Sequence, residues 1–152
     1  LKHFSDVAKI HNTVDHTKSE GAGAAGGVGF SAMSFLDAEF QSGFKLIQKL
    51  IGLKNKIRQN NYDLIITGEG SIDKQTSNGK LIMHLGKIGK KYSIPVIAFG
   101  GIVKENLQDL NLPGITRLKQ ISPDGCDLSS AIQKAPVYLD KALRDEVQRF
   151  LN

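Results

Sequence analysis

The strongest constraint on the fold is a repeated pattern of short apolar runs that end in glycines. Residues 63–67 read DLIIT and residues 94–99 read IPVIAF, and glycines follow each run at once. Runs of this length between turn signals are typical of strands buried on both faces of a parallel sheet. Between them, residues 79–92 have helical spacing, so the pattern predicts a strand–helix–strand unit.

Other segments extend this alternation of strands and helices. The predicted helices cover residues 1–11, 43–51, 53–59 and 79–92 and the C-terminal stretch, and the predicted strands cover residues 38–41, 63–67, 94–99 and 115–121. The residues predicted to face the core are Leu81, Leu85 and Ile88 in one helix and Leu139, Leu143, Val147 and Phe150 in the last. Alternating elements indicate an α/β fold with a mostly parallel sheet and flanking helices.

The N-terminal quarter fits this alternation poorly. Residues 21–29 read GAGAAGGVG, and a small-residue helix is expected to follow through Phe35 and Leu36. We therefore predict that residues 1–37 form a glycine-rich segment from a different layer or lobe. Residues 38–152 are predicted to form the α/β lobe.

Composition narrows the functional classes. The formal charge is +5, which suits an anionic ligand such as a nucleotide, and no aromatic residues interleave with a basic stripe as in nucleic-acid binders. Cys126 is the only cysteine, which excludes a disulfide framework and makes the cytoplasm the expected compartment. No apolar run is long enough to span a membrane. The first residue is not Met, so a fragment is expected.

The segment TGEGSIDKQTSNGK, residues 67–80, follows the first apolar run and contains acidic, hydroxyl and lysine side chains that could bind a ligand or take part in catalysis. Ligands of open parallel sheets bind beyond the carboxyl ends of the strands, where a loop with this sequence is expected to lie. Glu69 and Asp73 there can hold Mg²⁺ together with phosphate oxygens, or accept a proton from a substrate hydroxyl. The alternative is a solvated loop whose acidic residues cap the next helix.

Lys80 favours the hypothesis that this segment binds an anion over the hypothesis that it is only a loop connecting a strand to a helix. Asn78 is a plausible N-cap, so Lys80 is predicted in the first turn of the helix, where a cation opposes the helix dipole. An anion bound at the same helix end would offset that cost. An ordinary exposed lysine is the alternative.

Two nucleotide-binding motifs are disfavoured. The segment ending in Gly79 and Lys80 is not a Walker A loop, because Lys74 stands where glycine is needed and Leu81 where Ser or Thr is needed. Gly21, Gly23 and Gly26 match GxGxxG, but no apolar strand precedes them. These glycines either allow close helix packing or form a backbone cradle for an anion.

The segments GAGAAGGVGF, DLIITGEGSIDKQTSNGK and PVIAFGG together resemble the hallmarks of the bacterial type of glycerate kinase, in the order and at the spacing of that family. The likeness is firmest over residues 21–101. Members of that family are more than twice this length, so this chain is similar to their C-terminal portion. Many members carry arginine where this chain has Ser71, so a phosphate contact from that position is not carried over.

The resemblance implies a two-lobed α/β architecture and ATP-dependent, Mg²⁺-requiring phosphorylation of D-glycerate to a phosphoglycerate. The implied partner, besides the small-molecule substrate and ATP, is the N-terminal portion of the same enzyme. Asp73 is the expected base or aligner of the attacking hydroxyl, and Glu69 the expected metal or substrate ligand, although the two roles can be reversed and either carboxylate can bind Mg²⁺. The residues expected to bind phosphate or the substrate carboxylate are Lys80, Thr76 and Ser77, with backbone donors from Gly23, Gly26 and Gly27.

Two rival hypotheses remain. The chain by itself can be a non-catalytic α/β fragment that keeps an anion-binding site but lacks the partner lobe. A flavodoxin-like regulatory module is the other alternative, although such modules disperse their acidic residues over several loops.

Overall fold

The computed structural model describes residues 2–11, 14–77 and 81–152, without the side chains of residues 11, 75 and 77. Contacts group the chain into two compact units, Leu1–Ile51 and Gly52–Asn152. The domain division after residue 37 stays a prediction. No described helix has both the length and the apolar content that crossing a bilayer requires.

The first unit is helical in its described part. Its helices are α1 (Lys2–His11), a short 3₁₀ helix (Ala24–Gly27), α2 (Val28–Leu36) and α3 (Gly43–Leu50). A small core forms where Ala8 of α1 packs with Ala22 and with Phe30 and Met33 of α2. The Phe4 ring meets the Phe30 ring edge-on, with centroids 5.9 Å apart. These contacts hold the glycine-rich turn against α1.

The strand predicted over residues 38–41 is wrong. No regular structure forms there, because α2 ends at Asp37 in a left-handed conformation with φ 50°. The Phe40 ring packs instead against Gly21, where an added Cβ would lie 3.1 Å from the ring. Phe40 therefore contributes its apolar surface to the glycine turn rather than to a sheet.

The second unit holds a three-stranded parallel sheet. Its strands are β1 (Ile65–Ile72), β2 (Val96–Val103) and β3 (Ile115–Gln120), paired in the order β1-β2-β3. Its described part also holds three α-helices, α4 (Leu53–Gln59), α5 (Leu81–Tyr92) and α6 (Leu128–Leu151), and two short 3₁₀ helices, Lys74–Ser77 and Leu107–Asp109. The predicted mostly parallel sheet with flanking helices is confirmed.

Apolar side chains cover both faces of the central strand. One face packs with α5 in a core of Ile72, Ile82, Val96, Ala98, Leu110, Leu112 and Ile115. On the other face, Ile97 and Phe99 pack with Ala142 and Leu143 of α6. This two-sided burial explains why the sequence of β2 is a continuous apolar run rather than an alternating one.

Two predicted helix faces need correction. Leu81 is exposed at the start of α5, and Ile82 is fully buried instead. The buried stripe of α5 also contains Gly86, where a Cβ would lie 2.5 Å from the carbonyl oxygen of Pro113. Ile88 is buried as predicted, but a hydrophobic pattern does not register a glycine that faces the core, so Gly86 was missed in favour of Leu85.

In α6, Leu143 packs on the sheet as predicted, whereas Leu139 and Phe150 are exposed. Asp127 caps the helix by accepting a hydrogen bond from the Ser130 N–H at 3.0 Å. Hydrogen bonds from Ser130 hold the pKa of the Asp127 carboxyl below its ordinary value of 3.8.

Candidate functional site

The glycines of TGEG lie inside strand β1 and not in a loop beyond it, which corrects the predicted boundary. Strand β1 continues to Ile72 because its glycines let β2 approach closely. A Cβ on Gly68 would lie 2.8 Å from the carbonyl oxygen of Phe99, and one on Gly101 would lie 2.5 Å from that of Gly70. Side chains at these positions would force the two strands apart.

Glu69 is thereby fixed on a strand, in register with Gly100 of β2. Its half-buried side chain borders two neighbouring clefts of about 520 and 180 Å³ between the sheet and α6. Both clefts are also lined by Gly70, Gly101 and Ile121. A carboxylate on a rigid strand beside a largely apolar cleft is well positioned to orient a small ligand.

Asp73 follows the last residue of β1 and is held by a tight turn. Its backbone N–H donates to Oγ1 of Thr76 at 3.2 Å, and the Thr76 N–H donates back to the Asp73 carbonyl oxygen at 2.9 Å. Thr76 is fully buried, so this turn of the 3₁₀ helix Lys74–Ser77 has a fixed anchor. The turn sets the backbone position of Asp73.

Lys104 is a candidate site residue that the sequence analysis did not identify. Its Nζ lies 4.0 Å from Oδ2 of Asp73, whose side chain is 23% exposed. The backbone N–H of Lys104 donates to the Ile72 carbonyl oxygen at 3.0 Å, which extends the pairing of the two strands. The signal was present, because Lys104 follows β2, and the carboxyl ends of neighbouring parallel strands meet at one edge.

The Ser71 hydroxyl lies in the interior. Its Oγ is buried and has no hydrogen-bond partner within the described part of the chain. The expectation about phosphate at this position stays a prediction.

The predicted glycine cradle lies in the first unit. Gly26 and Gly27 have φ values of 68° and 102°, and Gly27 is the N-cap of α2 without a side-chain cap. The turn therefore leads directly into a helix N-terminus, whose first N–H groups have no intrahelical acceptor. A cavity of about 190 Å³ beside the turn is lined in part by Gly23, Gly27 and Lys2.

The expectation that Gly26 is needed for a close backbone approach is wrong. An added Cβ at Gly26 or at Gly23 would meet no atom within 4 Å. Gly26 is needed for its positive φ. Close packing occurs instead at Gly29, where a Cβ would clash with the carbonyl oxygen of Gly21.

The remaining predicted site residues lie partly or wholly outside the part of the chain that the structure describes. Asn78, Gly79 and Lys80 lie outside the described residues, as does the side chain of Ser77. The predicted roles of these residues stay predictions.

The acidic residues of the candidate site could serve as ligands of a metal ion. Within the described ranges no cluster of three or more His, Cys, Asp or Glu side chains is present. Mg²⁺ in phosphoryl-transfer sites uses one or two carboxylates and takes its other oxygens from phosphate and water. Glu69 and Asp73 supply two carboxylates from one strand and its following turn, so their donor chemistry fits Mg²⁺ bound with a nucleotide.

Fold and site together define an α/β protein whose candidate ligand-binding groups lie on and just beyond a parallel strand. Comparison with known proteins gives the family. The chain matches the glycerate kinase family over residues 1–151, and it belongs to that family.

Individual relatives agree with this assignment. The chain is 33% identical over 145 residues to a glycerate kinase of Bacillus subtilis, which covers 95% of this chain and 37% of the relative. It is 37% identical over 145 residues to a glycerate 2-kinase of Escherichia coli, covering 95% of this chain and 38% of the relative. The matched part is the C-terminal part of these relatives.

A solved structure shows the same correspondence. A crystal structure assigned to glycerate kinase 2 of Salmonella typhimurium superposes with a TM-score of 0.61 and 26% identity. The alignment covers 97% of this chain and 38% of that protein. The chain therefore spans well under half the length of the family members it matches.

Proposed function

We propose that this chain is the C-terminal portion of an ATP-dependent kinase that phosphorylates D-glycerate to a phosphoglycerate. The observation that carries the proposal is the family match over residues 1–151, with relatives named glycerate kinase among the similar proteins. The position of Glu69 and Asp73, on a strand and the turn after it, supports the same reaction class. Phosphoryl transfer depends mainly on positioning and charge neutralisation.

Asp73 is proposed as the base or aligner of the attacking hydroxyl. Its turn is anchored by buried Thr76, and its carboxylate stays partly accessible. Lys104 is proposed to hold the Asp73 carboxylate in place through their 4.0 Å ion pair. Glu69 is proposed as a metal or substrate ligand beside the cleft, with the reverse assignment of the two acids as the alternative.

Three sets of protein groups are proposed to contact an anionic part of the ligands. Backbone N–H groups of Gly23, Gly26 and Gly27 are proposed to cradle a phosphate or carboxylate. Lys80 and Ser77 are proposed to bind phosphate or the substrate carboxylate. Thr76 is proposed for the same role, although its buried hydroxyl already accepts the Asp73 N–H. Bound Mg²⁺ would supply neutralisation of phosphate charge, held by Glu69 and Asp73.

The test is a chimeric enzyme in which this chain replaces the matched C-terminal part of the Escherichia coli glycerate 2-kinase. ADP release is measured with ATP, Mg²⁺ and D-glycerate. Glycerol, which lacks the carboxylate, is the control substrate. We expect turnover with D-glycerate and little with glycerol. A chimera that melts cooperatively but shows no glycerate-dependent ADP release would contradict the proposal.

The competing proposal is a non-catalytic α/β fragment with an anion site. It is favoured by the coverage of only 37–38% of the relatives' length. In that case phosphate binds the chain and the chimera stays inactive. A cytoplasmic location stays a prediction.

A further inference from the structure

A further open cleft lies between β3 and the C-terminal half of α6, at the opposite edge of the sheet from the strand that carries Glu69. Its volume is about 540 Å³, and its lining includes Arg117 and Lys119 of β3 and Glu146 and Arg149 of α6. None of its lining residues borders the two clefts beside Glu69. A volume above about 300 Å³ is ordinary for a small-molecule site. The cleft is therefore a candidate site separate from the one already described.

Glu146 holds two guanidinium groups at this cleft. Its side chain is only 5% exposed, and its two carboxylate oxygens accept hydrogen bonds from Nη1 of Arg117 at 3.1 Å and from Nη1 of Arg149 at 3.0 Å. One carboxylate between two guanidinium groups leaves one positive charge uncompensated. The two arginine side chains remain 48% and 64% exposed. Since a guanidinium group has five N–H donors, both arginines keep donors for a ligand.

Lys119 adds a third cation to the cleft. Residues two apart on a strand point to the same face, so Lys119 and Arg117 lie on one side of β3. Among the described residues, Lys119 has no carboxylate within ion-pair distance. The other acidic residue of the lining, Glu105, lies 3.9 Å from the ammonium group of Lys74, outside the lining. With Lys74 included, the positive charges at the cleft exceed the negative charges by two.

Apolar side chains lie beside these cations. Leu107 and Leu118 line the cleft and pack against the core on their buried sides. The outer edge of β3 has no partner strand within the described ranges. Charged side chains on an edge strand hinder pairing with a further strand, so Arg117 and Lys119 favour a small molecule over a strand as the occupant.

We propose that the cleft between β3 and α6 binds a small organic phosphate, whose phosphate group contacts Arg117, Arg149 and Lys119 and whose carbon body contacts Leu107 and Leu118. Guanidinium groups bind phosphate through paired N–H donors. A phosphate monoester carries about −1.5 to −2 charge at pH 7, which matches the positive excess at the cleft, whereas a single carboxylate matches half of it. The proposal concerns a separate cleft and does not depend on the proposed reaction.

The test is calorimetric titration of the 152-residue chain with glycerol 3-phosphate at low ionic strength, repeated on the chimeric enzyme, which carries the same cleft. Glycerol supplies the carbon body without phosphate, and inorganic phosphate supplies the anion without the carbon body. We expect a dissociation constant below about 1 mM for glycerol 3-phosphate. Inorganic phosphate should bind at least about threefold more weakly, glycerol should not bind, and added NaCl should weaken binding.

Two arginine variants of α6 locate the binding. Arg149→Gln removes one guanidinium group while Arg117 stays paired with Glu146, and should weaken binding by about tenfold or more, as loss of a charge-assisted hydrogen bond does. Arg144→Gln is the matched control, because Arg144 also pairs with a carboxylate, Asp140 at 2.9 Å, but does not line the cleft. Its affinity should change by less than about twofold.

A lysine pair repeats the comparison without changing the contacts of Glu146. Lys119→Gln should weaken binding by about threefold or more, and Lys141→Gln, at an exposed position of α6 outside the cleft, should leave it unchanged. Both lysine variants should melt close to the parent chain, so this pair decides the matter even if Arg149→Gln does not fold.

Three outcomes overturn the proposal. The first is that neither cooperatively melting protein binds glycerol 3-phosphate, which would mean that Glu146 and its arginines only fasten α6 to β3. The second is binding that Arg149→Gln and Lys119→Gln leave unchanged, which would place the phosphate elsewhere, for example at the glycine turn. The third is that glycerol or inorganic phosphate binds as tightly as glycerol 3-phosphate.

Discussion

Asp73, the proposed base, is held in place without being part of a regular element. It follows a strand, its N–H is bonded to a buried threonine hydroxyl, and its carboxylate lies near the Lys104 ammonium group. The turn around Asp73 is anchored through its backbone, which Asp73→Asn leaves unchanged. A substitution that keeps the shape of Asp73 therefore separates function from stability.

Asp73→Asn in the chimeric enzyme is expected to lower kcat by about 10²–10⁴-fold, the usual contribution of a positioned base. The melting temperature should change little, since substitutions at partly exposed sites usually stay within about 0.5 kcal/mol. Steady-state kinetics and thermal unfolding check both values. Asp145→Asn removes the same charge from an exposed position of α6 and should leave kcat unchanged. Retention of more than about a third of the parental kcat by Asp73→Asn would mean that the carboxylate only caps the turn.

Alanine substitutions of Gly26 and Gly23 test why the turn needs glycine, because the two positions differ mainly in their backbone conformation. Neither has an atom within 4 Å of an added Cβ, but Gly26 has φ 68° whereas Gly23 has φ −77°. Gly26→Ala should therefore destabilise the chain by about 1–2 kcal/mol, the cost of a left-handed L-residue. Gly23→Ala should be neutral or stabilise by up to about 1 kcal/mol, because it restricts the unfolded chain.

Urea unfolding of the two glycine variants followed by circular dichroism measures this difference. Equal stabilities would show that the turn relaxes to accept a side chain at residue 26. The Ala25 residue already present at φ 49° is a reason to expect strain in this turn rather than freedom.

At the scale of elements, the sequence predicted the parallel strands and the helices between them but misplaced the end of β1. Apolar runs identify where a strand is buried, and they reveal β2 and β3 well. The continuation of β1 through TGEGSI depends on a contact between Gly70 and Gly101, which are far apart in sequence. Such a contact belongs to the paired sheet, so no local pattern contains it.

The same lack of information on long-range contacts explains which residues of the candidate site could be predicted from the sequence. Glu69 and Asp73 could be selected from their position after an apolar run, whereas Lys104 required knowledge that β1 and β2 are neighbours. The glycine turn was recognised as special, but the reason for Gly26 was predicted wrongly. Close approach and positive φ both select glycine, and one sequence does not distinguish them.

Gly101→Ala and Gly70→Ala test the close approach of β1 and β2. A Cβ at residue 101 would lie 2.5 Å from the carbonyl oxygen of Gly70, whereas a Cβ at residue 70 meets nothing within 4 Å. We expect Gly101→Ala to lower the free energy of unfolding by about 1–3 kcal/mol, as overpacking does. Gly70→Ala should remain within about 0.5 kcal/mol of the parent. Chemical denaturation measures both, and a Gly70→Ala variant that loses as much stability as Gly101→Ala would contradict this strand geometry.

For the molecule as a whole, we expect the length of the chain to limit its activity most. The chain matches the C-terminal 37–38% of its relatives, and the carboxylate Glu69 lies beside clefts that stay open to solvent. Closure of a second lobe normally excludes water and completes a phosphoryl-transfer site. An open cleft would keep the proposed ligand-binding groups but not the water-excluding environment that phosphoryl transfer normally uses.

We therefore expect the isolated chain to turn over D-glycerate far more slowly than about one per second, the lower end of the ordinary enzyme range. The chimeric enzyme, which restores the upstream portion around the same Glu69 and Asp73, should exceed that rate. A coupled assay for ADP at equal concentrations compares the two proteins, and Asp73→Asn in each identifies turnover from a contaminating kinase. Turnover near one per second by the isolated chain, abolished by Asp73→Asn, would show that these 152 residues contain a complete site. Closure by a second lobe would then contribute little to the chemistry.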